Sequence, residues 1–154
     1  MNKIYLAFLF AIILFGCTAQ ETVDAGVKST GVKDSALLPS DSISIPLSEI
    51  TETVKYYQYD AGGVAVRYFA VLGSDGVVRT AFDACEVCYR SGKGYTQVGS
   101  DVRCNNCGLS FEIDELGTKN KGNGCWPAYL PHQTNNDKVL IKKSDLEAGS
   151  YMFG

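Results

Sequence analysis

Two Cys-x-x-Cys turns and a fifth cysteine constrain this chain more than any other feature. Cys85-Glu86-Val87-Cys88 is followed after fifteen residues by Cys104-Asn105-Asn106-Cys107, and Cys125 lies eighteen positions further on. Such a turn lets two thiolates converge on one ion while its backbone amides point toward the sulfurs, and a second turn completes a tetrahedral tetrathiolate site. Gly108, directly after Cys107, suits a turn that needs a positive φ there. Tyr89, after Cys88, lacks that freedom, so the first turn is expected to be less regular. Gly92-Lys93-Gly94 and Gly122-Asn123-Gly124 flank the cluster and permit close backbone approach.

The spacing alone does not choose between zinc, iron and copper. Thiolates suit a structural zinc ribbon, a redox-active iron centre and Cu(I) alike. Disulfides compete as well in an exported chain, but five cysteines pair imperfectly, and a disulfide within a Cys-x-x-Cys turn belongs to redox enzymes rather than scaffolds. A thiol-disulfide oxidoreductase would place its turn in a thioredoxin-like βαβ context, which the sequence does not show. Five thiols are one more than a single ion or a single cubane needs. Cys125 is thus the fourth ligand with another sulfur spare, an outer thiol, or part of a site for two metals. Trp126-Pro127 beside it reads either as a shield against water or as a core anchor. His132, the sole histidine, reads as a solvated loop residue or as a further ligand.

The N-terminus reads as an address. Lys3 precedes an unbroken run of twelve apolar residues, Ile4 to Phe15. At 1.5 Å per residue the run spans about 18 Å, too short for a hydrocarbon core of about 30 Å. An export signal over 1–16 is expected. Leu14-Phe15-Gly16-Cys17 resembles the lipobox of prokaryotic lipoproteins, with Cys17 as the lipidated residue and the membrane surface as a partner through its acyl chains. Residues 17–45, rich in Ser, Thr, Asp, Gly and Val without sustained periodicity, read as a flexible tether. The remaining 46–154 form the folded, metal-binding domain.

Fourteen Lys and Arg against seventeen Asp and Glu, a net charge of -3, provide no basic surface for phosphate backbones, so nucleic acid is excluded as a partner. HExxH, Walker, CxxCH haem and Gly-x-Ser-x-Gly motifs are absent. The pattern points to metal binding or electron transfer rather than to catalysis, and assigns no catalytic residue. Asp114-Glu115 reads as a solvated turn.

A small β-rich domain, all-β or α+β, is expected: an antiparallel meander carrying a cysteine-knuckle, metal-binding insertion. Val54 to Tyr59, Val64 to Leu72 and Val77 to Phe82 are rich in β-formers, and Gly73-Ser74-Asp75-Gly76 joins the last two as a hairpin. Tyr56, Tyr57, Tyr59, Tyr68 and Phe69 read as core and cross-strand pairs rather than as a cofactor-stacking surface. Val139-Leu140-Ile141 reads as a further strand. Ser144 then caps a short helical turn through Glu147, ending at Gly149.

Ala81-Phe82-Asp83-Ala84-Cys85-Glu86-Val87-Cys88, Lys93-Gly94-Tyr95, Cys104-Asn105-Asn106-Cys107-Gly108, Phe111-Glu112-Ile113 and Gly124-Cys125-Trp126-Pro127 together resemble the FtrD-like membrane iron-sulfur protein family, over about Val54 to Phe153. The resemblance implies an extracytoplasmic domain with an iron-sulfur cluster. It implies association with ferrous-iron uptake, and an iron permease or a membrane electron-transfer protein as partner. Cys85, Cys88, Cys104, Cys107 and Cys125 carry over as the metal-site residues. Many relatives bear the domain on several transmembrane helices, whereas this chain shows only the lipobox-like segment. The sequence therefore predicts a lipid-anchored, extracytoplasmic metal-binding protein, with a zinc-ribbon interaction module or a Cu(I)/thiol redox protein as alternatives.

Overall fold

The computed structural model describes residues 39–122 and 124–154. The expected signal peptide, Cys17 and the tether as far as residue 38 lie outside the described residues. No helix among those described is long and apolar enough to cross a membrane.

The fold is β-rich: among the described residues there are three antiparallel sheets and one short α-helix. The first strand, β1 (Ser42–Pro46), is followed by β2 (Lys55–Asp60), β3 (Ala65–Leu72) and β4 (Val78–Cys85). The cysteine region contributes β5 (Tyr95–Val98), β6 (Asp101–Cys104) and β7 (Ser110–Glu112). Then come β8 (Pro127–Tyr129), β9 (Gln133–Asn135), β10 (Lys138–Lys142) and the helix α1 (Lys143–Ala148). The central sheet runs β2-β3-β4-β8, and the other two run β1-β10-β9 and β5-β6-β7.

The expected meander is thus present, with one strand added. Its aromatic residues meet across strands: Tyr57 stacks on Tyr68 at 5.4 Å, and Tyr56 meets Phe69 edge-on at 5.9 Å. The 73–76 turn closes as a hairpin, with the Gly73 amide donating to the Val77 carbonyl at 2.9 Å. Asp114 lies on an exposed turn, as expected, and its carboxylate also accepts from the Ser74 amide and hydroxyl at 2.8 and 2.6 Å.

Successive strand residues face opposite ways, and the middle strands β3 and β4 of the central sheet bury residues on both faces. Val66, Tyr68, Ala70, Val78, Phe82 and Ala84 face one core, closed by Ile45, Val139, Ile141 and Leu146. Phe69, Val71, Ala81 and Cys85 face a second, closed by Tyr95, Val102, Cys104, Ile113 and Leu116 from the cysteine region. Every residue of β4 is consequently buried. Its three polar residues are satisfied, as buried polar groups require. Thr80 donates to the Leu130 carbonyl, Arg79 binds Asp75, and Asp83 accepts from the Tyr95 amide and Arg67.

Two expectations need correction. The boundary at 45/46 falls inside β1, which pairs with β10 from Ser42↔Lys142 to Pro46↔Lys138. Ser-Ile-Ser-Ile alternates polar and apolar, and Ile45 is buried, so this segment belongs to the domain and not to a tether. Ser144 does not cap the helix: α1 starts at Lys143 after Lys142, with no side-chain cap. The end of the β10 pairing sets that start. Gly149 does follow the helix, but at φ -84°. Glycine is needed there because a Cβ would run into the Phe82 ring.

Candidate metal centre

Strand β4 delivers Cys85 at its last residue, and the first Cys-x-x-Cys turn leaves the sheet there. Cys85 lies opposite Pro127 of β8, and the Glu86 amide donates to the Trp126 carbonyl at 3.0 Å. This pairing brings Cys125 beside the first turn. The second turn connects β6 to β7. The Cys104 amide donates to the Leu109 carbonyl and the Gly108 amide to the Cys104 carbonyl, both at 2.9 Å, with Gly108 at φ +78°. The first turn differs as expected, because Tyr89 enters a single 3-10 turn and the positive φ is deferred to Gly92. Asn105 ties the second turn to the Gly92–Gly94 segment, its amide donating to the Gly94 carbonyl and its side chain to the Lys93 carbonyl.

The five cysteines among the described residues are free thiols. They form two overlapping groups, Cys85/Cys88/Cys104 and Cys88/Cys107/Cys125, and within each group the sulfurs lie within 4.8 Å of one another. Cys125 Sγ is 3.6 Å from both Cys88 Sγ and Cys107 Sγ. An ion holding tetrahedral thiolates at 2.3 Å sets sulfurs about 3.8 Å apart, so the spacing suits shared ligation. A disulfide needs about 2.05 Å. The first group is the buried one, with Cys85 and Cys104 only 3% and 2% exposed; Cys107 is exposed.

The protein biases these thiols unequally. Burial opposes ionisation of Cys85, yet the amides of Cys88 and Val87, the Tyr95 hydroxyl and Cys125 together hold it at about 7. The Leu109 amide pulls Cys107 below its usual range. Burial pushes Cys104 up. Burial also raises Cys125, and competition with Cys107, Cys88 and Cys85 adds to it. Amides aimed at sulfur thus favour a bound thiolate in both turns, whereas crowding resists five free thiolates at once.

Sequence reasoning missed Tyr95, which is 4% exposed. Its hydroxyl lies close enough to favour the Cys85 thiolate, yet meets no partner in hydrogen-bond geometry. Its main chain is clamped on both sides. Asp83 accepts from its amide at 2.7 Å, and its carbonyl accepts from the Tyr56 hydroxyl at 3.1 Å. A buried phenol without a partner is unfavourable by about 1–3 kcal/mol, and a thiolate at Cys85 would satisfy it. Tyr95→Phe is therefore expected to leave the metal-free protein as stable or more so, and to weaken metal binding. Melts with and without metal check this, and equal losses in both would refute it.

Trp126 takes the place that the core-anchor reading gives it. It packs edge-on against Phe111 at 5.3 Å within the second core, beside Cys88 and Cys125, and its indole donates to the Thr118 carbonyl. Val87 and Leu109, inside and just after the two turns, are 58% and 53% exposed. The centre therefore has a buried side and an open, apolar-rimmed side.

His132 belongs to neither cysteine group, and it is half-buried rather than solvated. Its Nδ1 lies 2.8 Å from the Thr80 hydroxyl. That hydroxyl donates to Leu130, so Nδ1 carries the proton and Thr80 accepts. Burial, then the charge of Arg79, lowers the His132 pKa. The unfolded chain thus binds a proton more readily, and stability is expected to fall as pH drops below about 6.5. A His132→Gln variant should show a flatter slope in pH-dependent melts between pH 7 and 5; an unchanged slope would remove His132 as the cause.

The family model described as "Membrane iron-sulfur containing protein FtrD-like" matches residues 50–153. No curated protein matches the chain, and no solved structure does.

Proposed function

Starting from the premise that this chain belongs to the FtrD-like family of membrane iron-sulfur containing proteins, we propose that it is an extracytoplasmic, lipid-anchored protein. In this reading its cysteine centre holds iron, as an iron-sulfur cluster, and serves electron transfer to or from a membrane partner engaged in ferrous-iron uptake. The convergence of five free thiols at the end of a fully buried strand supports this most strongly. Bound there, iron would supply one-electron chemistry. The chain's own residues bind it through sulfur, exclude water on one side with Tyr95, Phe111 and Trp126, and leave Cys107 open. Val87 and Leu109 give that open side an apolar rim, against which a partner could close. Cys17, in the lipobox-like segment, would hold the domain at the membrane surface, and an iron permease fits as the neighbour.

The test is metal and acid-labile sulfide analysis of the full chain purified without oxygen, with visible and EPR spectra before and after reduction. Iron, sulfide and a reducible chromophore are expected. A colourless protein carrying stoichiometric zinc would overturn the reading. One observation favours that second reading: Cys85 and Cys104 are integral to the second core. A zinc ion there would staple the fold, with its binding energy part of the folding energy.

A further inference from the structure

We propose that the Tyr95 hydroxyl donates a hydrogen bond to the Cys85 sulfur of the loaded centre and raises the potential at which that centre takes up an electron. This rests on the centre holding an iron-sulfur cluster, and it adds which residue beyond the sulfurs tunes it. Tyr95 opens β5 directly opposite Cys104 of β6, and side chains opposite one another on paired strands share a face. That face is the second core, where Tyr95, Cys85 and Cys104 are all buried. The ring is held in place independently of any metal. It meets Phe69 edge-on at 6.4 Å and Phe111 at 6.2 Å, while Asp83 and Tyr56 clamp its main chain.

The donor is available. The Tyr95 hydroxyl is buried without a partner, which a native core seldom tolerates unless something else satisfies the group. Trp126, the other polar aromatic side chain of that core, gives its indole N–H to the Thr118 carbonyl. Tyr57, the other unpartnered phenol among the described residues, packs on the first core, away from the sulfurs. Sulfur is what lies within reach of Tyr95. Its hydroxyl is among the groups that hold the Cys85 thiol low, and burial, then Cys85, pushes the phenol up. The phenol oxygen thus keeps its proton and acts as a donor.

The effect on potential follows from charge. Uptake of one electron adds negative charge that the ligating sulfurs share, and a donor aimed at one of them stabilises the more negative state. In a buried, weakly polar setting that stabilisation is larger than in water. The centre is reduced by one electron and the redox partner oxidised by one; the proton stays on the phenol oxygen, and no covalent bond forms or breaks. Removing the donor therefore lowers the potential, and strengthening it raises the potential.

The experiment is a redox titration with dithionite, followed by EPR, of the full chain purified without oxygen. Three forms are compared: the unaltered chain, Tyr95→Phe, and the chain with 3-fluorotyrosine at position 95 alone. Fluorine makes the phenol a stronger donor at nearly unchanged size. Tyr95→Phe is expected to lower the midpoint by at least about 59 mV, a tenfold change in the equilibrium constant for one electron. Fluorotyrosine is expected to raise it. A merely structural role would move neither midpoint, or both in the same direction. Either of those results, with iron and sulfide present, would overturn the proposal and leave the iron-sulfur reading standing. No reducible chromophore in the unaltered chain would overturn that reading and the proposal with it. If Tyr95→Phe does not retain its centre, the fluorotyrosine form decides alone: a raised midpoint supports the proposal, and an unchanged or lowered one overturns it.

Discussion

Cys104→Ser is expected to strip the protein of its metal and to lower its stability by more than about 3 kcal/mol, the range of changes that remove a metal site or bury an unpaired polar group. Cys104 ends β6 and is 2% exposed, packed in the core that Tyr95, Val102 and Ile113 share. Serine is smaller and a poor ligand for soft cations, and it leaves a hydroxyl where the sulfur was an apolar filler as well as a donor. Metal analysis beside a thermal melt checks this. Full metal content with an unchanged midpoint would show that Cys104 neither ligates nor holds the core. Cys125→Ser makes the useful contrast: its side chain is only half-buried, so metal should be lost or reduced while most of the fold stays.

Gly94→Ala is expected to destabilise by about 3 kcal/mol and to weaken metal binding at least tenfold. Gly94 stands at φ +63°, where an L-residue is disfavoured by about 1–2 kcal/mol. A Cβ there would collide with the Asp83 carboxylate. That carboxylate accepts from the buried Tyr95 amide and pairs with the half-exposed Arg67 at 3.3 Å, so displacing it leaves the Tyr95 amide unpaired, at about 1–3 kcal/mol. The Gly94 carbonyl also anchors the second cysteine turn through the Asn105 amide, which is how the damage reaches the sulfurs. Gly92→Ala is the control. Gly92 has a similar φ of +64°, but a Cβ there meets open space, so only the backbone strain remains. Denaturant melts and metal titrations of the pair check the argument, and equal effects in both would remove the Asp83 collision from it.

The meander was legible because its strands are rich in β-branched and aromatic residues and are joined by glycine turns. The last three residues of β4 were not, since Asp83-Ala84-Cys85 has no strand signature; Asp83 is buried only because the Tyr95 amide and Arg67 reach it from elsewhere in the chain. The hairpin of β5 and β6 turns at Gly99-Ser100, a two-residue connection of the right kind, but polar residues between Tyr95 and Cys104 masked its alternation. β1 was hidden by a serine-rich composition shared with the preceding segment. The cysteines declared their chemistry through spacing alone. What spacing could not convey is that Cys88 stands between two groups, or that a tyrosine seven positions later faces Cys85. Both depend on pairing across the fold: β4 with β8, and Asp83 with Tyr95.

The burial of β4 on both faces also determines how the sulfurs are positioned. A strand packed on one side is held in register by a single apolar face. β4 is held by two, with the polar residues Arg79 and Asp83 each matched to its own partners. A slip of one residue would exchange every side chain between the two cores, sending these charges into the first core and turning Cys85 away from Cys88 and Cys104. The register of the sheet thus acts as a gauge for Cys85. Through the pairing of Cys85 with Pro127, two residues beyond Cys125, the same gauge reaches the fifth sulfur.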